Sequence, residues 1–576
     1  MSEEIIEQGE SCAEAYLRLL AANGVDYLFI NPGTDTAPIN EVFAKFAAKG
    51  VEKPKPILVP HEIPATGMAY GYALVSHRPQ VVMVHVIVGA ANALGAVMSA
   101  YRARVPMIFT AGRTPITEEG FEGSRDISVH WGQESFDQGG LLREFVKWDY
   151  ELRTSRQLKT VVERAFKIAT AEPQGPVYLI LPREWLMEEI REGEVAPARV
   201  RQPVSPPSAD VDRLREAAQL LLEASSPLII TGRLGRRPEA VSRLVELAEI
   251  LAIPVVEAPK NFMNFPTENP LHVGYDVKPH LEQADVIMLI DSDIPWIPKV
   301  VKPNESAEII QIDVDPAYTS YPIWGYPVDM PITSDPILAI PILKSILEEL
   351  ISNTQGKREE IEDRYDRIKS EHRRLRDLWR EAALKAKDEK PISFTWLSYI
   401  VNKVKDENTI IVDEYDLEST QIQLSKPGTY FRSSPAGWLG LGMGVALGAK
   451  MAAPQQTVIA CVGDGSYIFA VPTACHWVSN RYHIPFLTVI FNNQCYNAVK
   501  RTVRTLFPNG WSAKTGNFVA VDLDPSPNYA EIAKANHGYG ETVEDPAELE
   551  DALTRGLRVV REEKRQALID VICKHP

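Results

Sequence analysis

The chain has 576 residues, of which 45% are hydrophobic and 24% are charged, and this balance excludes a disordered or collagen-like protein. Its formal net charge of −16 argues against nucleic acid as a partner. The five cysteines are scattered and show no CxxC spacing, which argues against a zinc ribbon or a disulfide framework and favours a reducing, cytoplasmic location.

Two stretches in the first third bear on membrane insertion. Residues 1–10 are acidic and lack the basic start and the apolar stretch of a signal peptide. Residues 81–101 are uncharged and long enough to cross a bilayer, but they include His85, Gly89 and Asn92. Because Gly89 falls where a strand would pass into a helix, we interpret this stretch as a buried strand, turn and helix, and we expect no membrane partner.

Apolar runs of strand length alternate with helical periods along most of the chain, which is typical of parallel sheets covered by helices. In chain order, the predicted strands are 26–30, 80–84, 106–110, 177–181, 227–231, 286–291, 308–313, 409–413, 457–462, 486–491 and 567–572. Each third of the chain therefore has enough strands for its own sheet. The pattern predicts an α/β fold with three doubly wound parallel-sheet domains.

Two segments separate these thirds. Residues 190–210 are rich in Pro, Arg and Glu and lack an apolar period, as expected for a linker. Residues 354–391 carry many charges of both signs, which predicts a solvated helix between domains. The predicted domains are residues 1–190, 205–353 and 385–576.

A weak internal repeat relates the first and last thirds. In both, a strand leads into a glycine turn and a helix, and Arg-x-x-x-Pro then precedes another strand. Arg102 and Pro106 match Arg481 and Pro485 in this pattern. Two α/β units can converge on such a pattern, or the two thirds are duplicated copies that face one another.

The strongest chemical signal is Gly463-Asp464-Gly465, with Asn493 after the next predicted strand. Ligands bind at the carboxyl ends of strands in such sheets, and glycines let backbone N–H groups approach a phosphate. Asp464, Asn493 and the backbone carbonyl of Cys495 supply the hard oxygen atoms that Mg²⁺ prefers. The spacing favours a diphosphate–metal site, although Gly-Asp-Gly alone is often only a turn.

The segment GDGSYIFAVPTACHWVSNRYHIPFLTVIFNN resembles the thiamine diphosphate motif of the 2-oxo acid decarboxylase and acetohydroxyacid synthase superfamily. The resemblance covers nearly the whole chain and implies a pyrimidine-binding, a central and a diphosphate-binding domain. It implies that the Mg²⁺ ligands are Asp464, Asn493 and the Cys495 carbonyl. It implies cofactor contacts at Gly463, Gly465, Ser466, Asn497, Tyr415 and Asp416, with Leu439 as the apolar wedge that bends the cofactor.

Glu62 is the second mark of this resemblance. It begins a predicted helix with Ala65, Ala69 and Ala73 on the same face, where another surface could pack closely. A glutamate in a first helical turn is often only favoured by the helix dipole. The resemblance instead implies the activating glutamate, which shares a proton with the cofactor's aminopyrimidine. In this family the glutamate and the metal motif come from different subunits, so we expect a homo-oligomer, at least a dimer, with active sites at the interface.

The details that bear on substrate are closest to benzoylformate decarboxylase. NPGTDTAPINEVF implies that Thr34 contacts substrate, and HVIVGAANALGAV implies a catalytic role for His85, which alternatively is a core histidine. That family has a second active-site histidine, but the comparable loop here offers Trp296. Gln133, in HWGQES, instead resembles an active-site glutamine of acetohydroxyacid synthases. We expect His130 and His476 to be structural or surface residues.

The resemblance implies a thiamine diphosphate- and Mg²⁺-dependent enzyme that decarboxylates a 2-oxo acid and releases an aldehyde through an enamine. The alternative is an acetolactate-synthase-like carboligase that joins two 2-oxo acids or aldehydes. Two other classes stay open: a catalytically silent cofactor-binding protein, and a nucleotide-binding protein whose Asp464 holds Mg-ATP. Some relatives bind FAD in the central domain, but TGRLGRRPEA is a weak dinucleotide fingerprint and we expect no FAD.

Overall fold

The computed structural model describes residues 10–190, 203–414, 417–433 and 435–575. Within these ranges, 17 strands form three separate sheets, and every pair of neighbouring strands is parallel. Helices cover the sheets, as parallel sheets require when both faces are buried. The predicted fold class is confirmed.

The first sheet has six strands in the order β2-β1-β3-β4-β6-β5. Its strands are β1 (Tyr27–Ile30), β2 (Lys55–Leu58), β3 (Val81–Val84), β4 (Met107–Arg113), β5 (Asp149–Glu151) and β6 (Pro176–Pro182). Its helices are α1 (Cys12–Ala22), α2 (Ala37–Lys49), α3 (Glu62–Ser76), α4 (Val86–Arg102), α5 (Val129–Gly132), α6 (Leu158–Thr170) and α7 (Arg183–Met187).

The middle sheet has five strands in the order β11-β10-β9-β7-β8. They are β7 (Pro227–Thr231), β8 (Val255–Glu257), β9 (Val286–Ile290), β10 (Glu308–Asp313) and β11 (Met330–Thr333). The helices of this part are α8 (Val211–Glu223), α9 (Pro238–Leu251), α10 (Lys278–Leu281) and α11 (Pro336–Ser352). The charged segment predicted as a solvated helix forms α12 (Lys357–Lys385).

The third sheet has six strands in the order β13-β12-β14-β15-β17-β16. They are β12 (Ile410–Glu414), β13 (Tyr430–Arg432), β14 (Val458–Gly463), β15 (Leu487–Asn492), β16 (Tyr539–Val543) and β17 (Ala567–Ile572). The helices are α13 (Phe394–Val404), α14 (Gly442–Ala452), α15 (Asp464–Phe469), α16 (Pro472–Tyr482), α17 (Asn497–Leu506), α18 (Trp511–Thr515), α19 (Tyr529–Ala535) and α20 (Leu549–Arg561).

The first and third sheets have the same strand order. If β1 to β6 are replaced one for one by β12 to β17, the strand order of the first sheet becomes that of the third. Arg102 ends α4 before Pro106 and β4, and Arg481 lies in α16 before Pro485 and β15, so the sequence repeat falls at equivalent places. The shared topology favours duplication over convergence.

The uncharged stretch 81–101 forms β3 and most of α4, and β3 is buried. No helix among the described residues is long and apolar enough to span a bilayer. All five cysteines are buried, and none forms a disulfide.

The first and third parts of the chain pack against each other through two equivalent helices, α3 and α14. α3 follows β2, and α14 follows the matching strand β13. They cross at glycines: a Cβ atom on Gly67 would lie 3.0 Å from the Gly444 Cα, and one on Gly448 would lie 2.7 Å from the Met68 carbonyl carbon. Because glycine removes the side chains at this crossing, the two backbones pack in direct contact.

Candidate active site

Glu62 is the first residue of α3 and is only 5% exposed. Its Oε1 accepts a hydrogen bond of 2.8 Å from the Asn31 side-chain amide, and its Oε2 accepts one of 3.1 Å from the Asn92 amide. The ring of His61, which caps α3, lies 3.8 Å from Oε2. Two amides and a helix N-terminus therefore hold this buried carboxyl group in one orientation.

Three segments meet around this carboxyl group. Asn31 directly follows β1, and Asn92 lies in α4. A Cβ atom on Gly89 would lie 3.2 Å from the Glu62 Oε1 and 2.9 Å from the Val84 Cβ, so the glycine lets α4 pass close to this carboxyl group. The sequence motifs contained Asn31 and Asn92, but their contact with Glu62 depends on the folded sheet.

His85 lies between β3 and α4, and its side chain is 22% exposed. Its Nδ1 contacts the Asp35 carboxylate, and its Nε2 lies 2.9 Å from the side-chain nitrogen of Gln133. The hydrogen bond to Asp35 raises the pKa of His85 above its ordinary value, against the effect of burial, and the charge of Glu62 adds to the rise. Thr34 precedes Asp35 and is exposed. The structure thus brings Glu62, His85 and Gln133 together at one sheet edge.

Asp464 directly follows β14 and is almost fully buried. Since β14 and β15 are paired neighbours, Asp464 and Asn493 lie at the same carboxyl edge of the third sheet. Burial raises the pKa of Asp464 to about 6, and hydrogen bonds from the backbone N–H groups of Gly465 and Gln494 oppose that rise. The Gln494 contact places this carboxylate against the loop that follows β15.

The oxygen atoms of this edge fit a metal ion. Asp464 Oδ2 and Asn497 Oδ1 are buried and have no hydrogen-bond partner among the described residues. The Asn493 Oδ1 accepts a hydrogen bond of 3.0 Å from the Cys495 N–H. An unpaired buried oxygen is costly, and a hard cation or a donor group offsets that cost. Among the described residues, no three His, Cys, Asp or Glu side chains are grouped to hold a metal, so a cation at Asp464 would also need amide and carbonyl oxygens.

A second carboxylate organises the loop before α14. Glu414, at the end of β12, accepts hydrogen bonds of 2.5 Å and 2.6 Å from the backbone N–H groups of Gly440 and Gly442. Burial raises the pKa of Glu414 to about 7. These bonds fix the backbone on both sides of Leu441 and next to Leu439, the predicted wedge. Two predicted cofactor contacts lie outside the described residues: Tyr415 and Asp416.

The carboxyl edge of the middle sheet is filled by the chain's own charged side chains. The buried Arg233, from TGRLGRRPEA, lies 3.6 Å from Asp291, 3.3 Å from Asp293 and 3.9 Å from Asp313. Arg104, from the first part of the chain, lies 2.8 Å from Asp313. Each buried charge therefore has an opposite charge beside it, as burial requires.

Three residues considered from the sequence lie in packed interiors. Trp296 belongs to the middle core and packs edge-on against Tyr326, at a distance of 5.2 Å between ring centroids. His476 is buried, its Nε2 lies 2.8 Å from the Tyr467 hydroxyl, and burial lowers its pKa to about 4. His130 is also buried. The burial of both histidines agrees with the structural roles expected for them.

Three family models match the chain. They are "Thiamine pyrophosphate enzyme, N-terminal TPP binding domain" over residues 10–141, "Thiamine pyrophosphate enzyme, central domain" over 214–343, and "Thiamine pyrophosphate enzyme, C-terminal TPP binding domain" over 416–571. The matches follow one another in chain order and include both edges described above.

Known proteins of two kinds are similar over most of this chain. The acetolactate synthase isozyme 3 large subunit of Escherichia coli (strain K12) is 25% identical, over 97% of this chain and 94% of its own length. Benzoylformate decarboxylase of Pseudomonas aeruginosa is 26% identical, over 84% of this chain and 86% of its own. The solved structure of a thiamine diphosphate-dependent 4-hydroxybenzoylformate decarboxylase from Rhodococcus jostii RHA1 has 23% identity and a TM-score of 0.76, covering 98% and 99% of the two chains, which shows a shared fold.

Proposed function

We propose that this chain, which belongs to the thiamine pyrophosphate enzymes, decarboxylates a 2-oxo acid without oxidation and releases an aldehyde. Its relatives are decarboxylases and acetolactate synthases, so it is an enzyme of one of these two types. The choice of decarboxylation depends on one observation, which is the position and the raised pKa of His85 at the edge that holds Glu62.

The residues of the third sheet edge fit the diphosphate and its cation. Asp464, Asn493 and the Cys495 carbonyl would hold Mg²⁺. The diphosphate would lie against four further residues: Gly463, Gly465, Ser466 and Asn497. When bound, thiamine diphosphate supplies a nucleophilic carbon for the substrate carbonyl and a cationic ring that accepts the electrons left as CO₂ departs.

The residues of the first sheet edge handle protons. Glu62 would share a proton with the aminopyrimidine nitrogen, and the hydrogen bonds from Asn31 and Asn92 hold its carboxyl group in place for that contact. His85 as an imidazolium would donate its Nε2 proton to the substrate carbon that has lost CO₂. The aldehyde would then leave once the hydroxyl on that carbon gives its proton to water and the bond to the cofactor breaks. A raised pKa keeps more of this imidazolium present near neutral pH.

Carboligation is the second candidate, and Gln133 favours it. Its side-chain nitrogen lies 2.9 Å from the His85 Nε2, where it would compete with proton donation to the substrate carbon. An intermediate that is not protonated can attack a second 2-oxo acid or aldehyde. The two outcomes differ in product, so a product assay separates them.

We also propose a homo-oligomer in which the first part of one subunit meets the third part of another. Large apolar side chains are exposed in both parts of the described chain, including Trp131, Phe136, Phe507 and Trp511. Exposed apolar side chains of this size are typical of surfaces that pack against a second copy, which supports the proposal. The ion pairs around Arg233 support the expectation that no FAD binds the middle part. The buried cysteines, none of which forms a disulfide, support a cytoplasmic location.

The test is the product spectrum of the purified protein with thiamine diphosphate and Mg²⁺. Benzoylformate, 4-hydroxybenzoylformate and pyruvate are supplied singly and in pairs, and CO₂, aldehydes and acyloins are measured. Aldehyde as the main product supports the proposal. If acetolactate is the only product, the enzyme is a carboligase and the proposal of decarboxylation is wrong. If no 2-oxo acid is turned over, the proposal is refuted.

Binding measurements test the two remaining classes. Titration with thiamine diphosphate and with ATP, each with and without Mg²⁺, distinguishes a thiamine enzyme from an ATP-binding protein. Tight thiamine diphosphate binding without any turnover would favour a silent cofactor-binding protein.

A further inference from the structure

Asp35 is a buried carboxylate that no part of the proposed mechanism has used. It lies in a 3₁₀ turn directly after β1 and is only 2% exposed. Its Oδ1 contacts the His85 Nδ1, and its Oδ2 accepts a hydrogen bond of 3.3 Å from the Val86 N–H. One carboxylate therefore holds both the ring of His85 and the backbone just after it.

The Asp35 carboxylate and the His85 imidazole fit between the surrounding backbone segments only because two nearby residues are glycines. A Cβ atom on Gly33 would overlap the ring of His85 and lie 2.7 Å from the Asp35 Oδ1. One on Gly112, in β4, would overlap the Asp35 carboxylate. The carboxylate and the imidazole are thus enclosed by backbone on two sides, and neither can move far.

The backbone at Val86 also depends on this carboxylate. Val86 has a φ of 31°, which a β-branched residue rarely adopts. Its N–H points to the Asp35 Oδ2 in this conformation. The hydrogen bond offsets part of the strain, so Asp35 supports the turn that presents His85 to the site.

The contact also determines which nitrogen of His85 can take part in proton transfer. A carboxylate only accepts hydrogen bonds, so the Nδ1 of His85 carries a proton and its Nε2 is the atom that gains or loses one. The Nε2 faces the Gln133 amide, whose Oε1 is buried and has no hydrogen-bond partner among the described residues. An amide can donate to neutral imidazole, or turn and accept from imidazolium, so Gln133 can serve both states of His85.

We propose that Asp35 is the positioning residue for His85, holding it as the Nδ1–H tautomer with Nε2 directed at Gln133 and the reacting carbon. This inference rests on the proposed function of His85. The proton leaves from Nε2 and is replaced from water, while Asp35 accepts a hydrogen bond from Nδ1–H throughout. The charged or titratable groups that face His85 are Asp35, Glu62 and His130.

The first test is the tautomer of His85 in the wild-type holoenzyme. Nuclear magnetic resonance of isotope-labelled histidine, with the His85 signal assigned by its absence in His85→Ala, gives the tautomer from the ring-nitrogen shifts above the pKa. Protonated Nδ1 with unprotonated Nε2 is expected. The opposite tautomer would overturn the proposal, and this measurement needs no turnover and no Asp35 variant.

The second test is Asp35→Asn, which keeps the shape and removes the charge. We expect the titration midpoint of His85 to fall by about one pH unit or more, since an opposite charge at contact distance shifts a pKa by roughly 1–3 units. The alkaline limb of the pH profile of kcat should move to lower pH by the same amount, while KM changes little. An unchanged His85 titration would overturn the proposal.

The matched control is Glu257→Gln in the middle part of the chain. Glu257 and His272 form another buried carboxylate–imidazole pair, 3.1 Å apart and distant in sequence from this site. Its loss should leave the kcat profile and the His85 titration unchanged. If the wild type shows no turnover, the proposed function fails, and the two His85 measurements still decide the role of Asp35.

Discussion

Replacing Gly71 by alanine tests the crossing of α3 and α14. A Cβ atom at this position would lie 2.7 Å from the Val445 carbonyl carbon and 2.8 Å from its Cα. These are backbone atoms and cannot rotate away, so one helix must shift. Alanine is the better helix former by about 1 kcal/mol, whereas overpacking costs about 1–3 kcal/mol and occasionally more. Because backbone blocks the new methyl group, we expect a net loss of about 1–2 kcal/mol in the free energy of unfolding.

The same shift should lower activity, because α3 begins at Glu62. A displacement of about 1 Å at a reacting group can cost roughly 100-fold in rate. Urea unfolding followed by circular dichroism measures the stability, and kcat with the best 2-oxo acid measures the placement. Gly325→Ala is the control, since nothing lies within 4 Å of its Cβ position and its backbone is not left-handed. The reasoning is refuted if Gly71→Ala is as stable as the wild type or more stable.

Three further predictions concern single side chains. Glu62→Gln should lower kcat by roughly 100-fold or more and leave the thiamine diphosphate dissociation constant within about threefold by calorimetry, and persistent turnover would contradict its role. Asp464→Ala should abolish the Mg²⁺-dependent rise in melting temperature on adding thiamine diphosphate; an unchanged rise would contradict the metal site. Burial lowers the pKa of His476 from 6.5 to about 4. The buried neutral imidazole therefore makes its full contribution to the free energy of unfolding above pH 6.5, and this contribution is lost as the pH falls to about 4. This acid-induced loss amounts to up to about 3 kcal/mol. His476→Gln should reduce it, and the comparison of unfolding midpoints at pH 7 and pH 4.5 for the variant and the wild type measures the difference.

The sequence predicted the central strands well and missed the edges. Strands such as β4, β14 and β15 are buried along their whole length and read as apolar runs. Six strands were missed, and all of them lie at sheet edges, where one side has no neighbour: β2, β5, β8, β11, β13 and β16. The side chains of β2, β5, β11 and β16 are partly exposed, whereas β8 and β13 are mostly buried but only three residues long. Such strands carry no continuous apolar run, so only pairing in the folded sheet identifies them.

The candidate site divides in the same way. Asp464 and Asn493 follow predicted strands within a recognisable local motif, so the sequence could place them at one edge. Asp35 could not be singled out, because its role depends on a contact with His85 that is 50 residues away in the chain. The face of α3 was also only partly anticipated: close packing was expected at Ala65, Ala69 and Ala73, and the backbone of α14 also approaches closely at Gly67 and Gly71.

The shared topology of the first and third sheets explains how the site divides its chemistry. His85 follows β3 and Asp464 follows β14, which are equivalent strands in the two sheets. The proposed function assigns proton transfer to the groups of the first edge, whereas the third edge presents oxygens suited to a cation and backbone N–H groups suited to an anion. If one ancestral edge diverged into these two, substitutions at the first edge should change turnover and pH dependence at constant cofactor affinity. Substitutions at the third edge should change cofactor affinity first, so a first-edge variant that loses the cofactor as readily as Asp464→Ala would contradict this division.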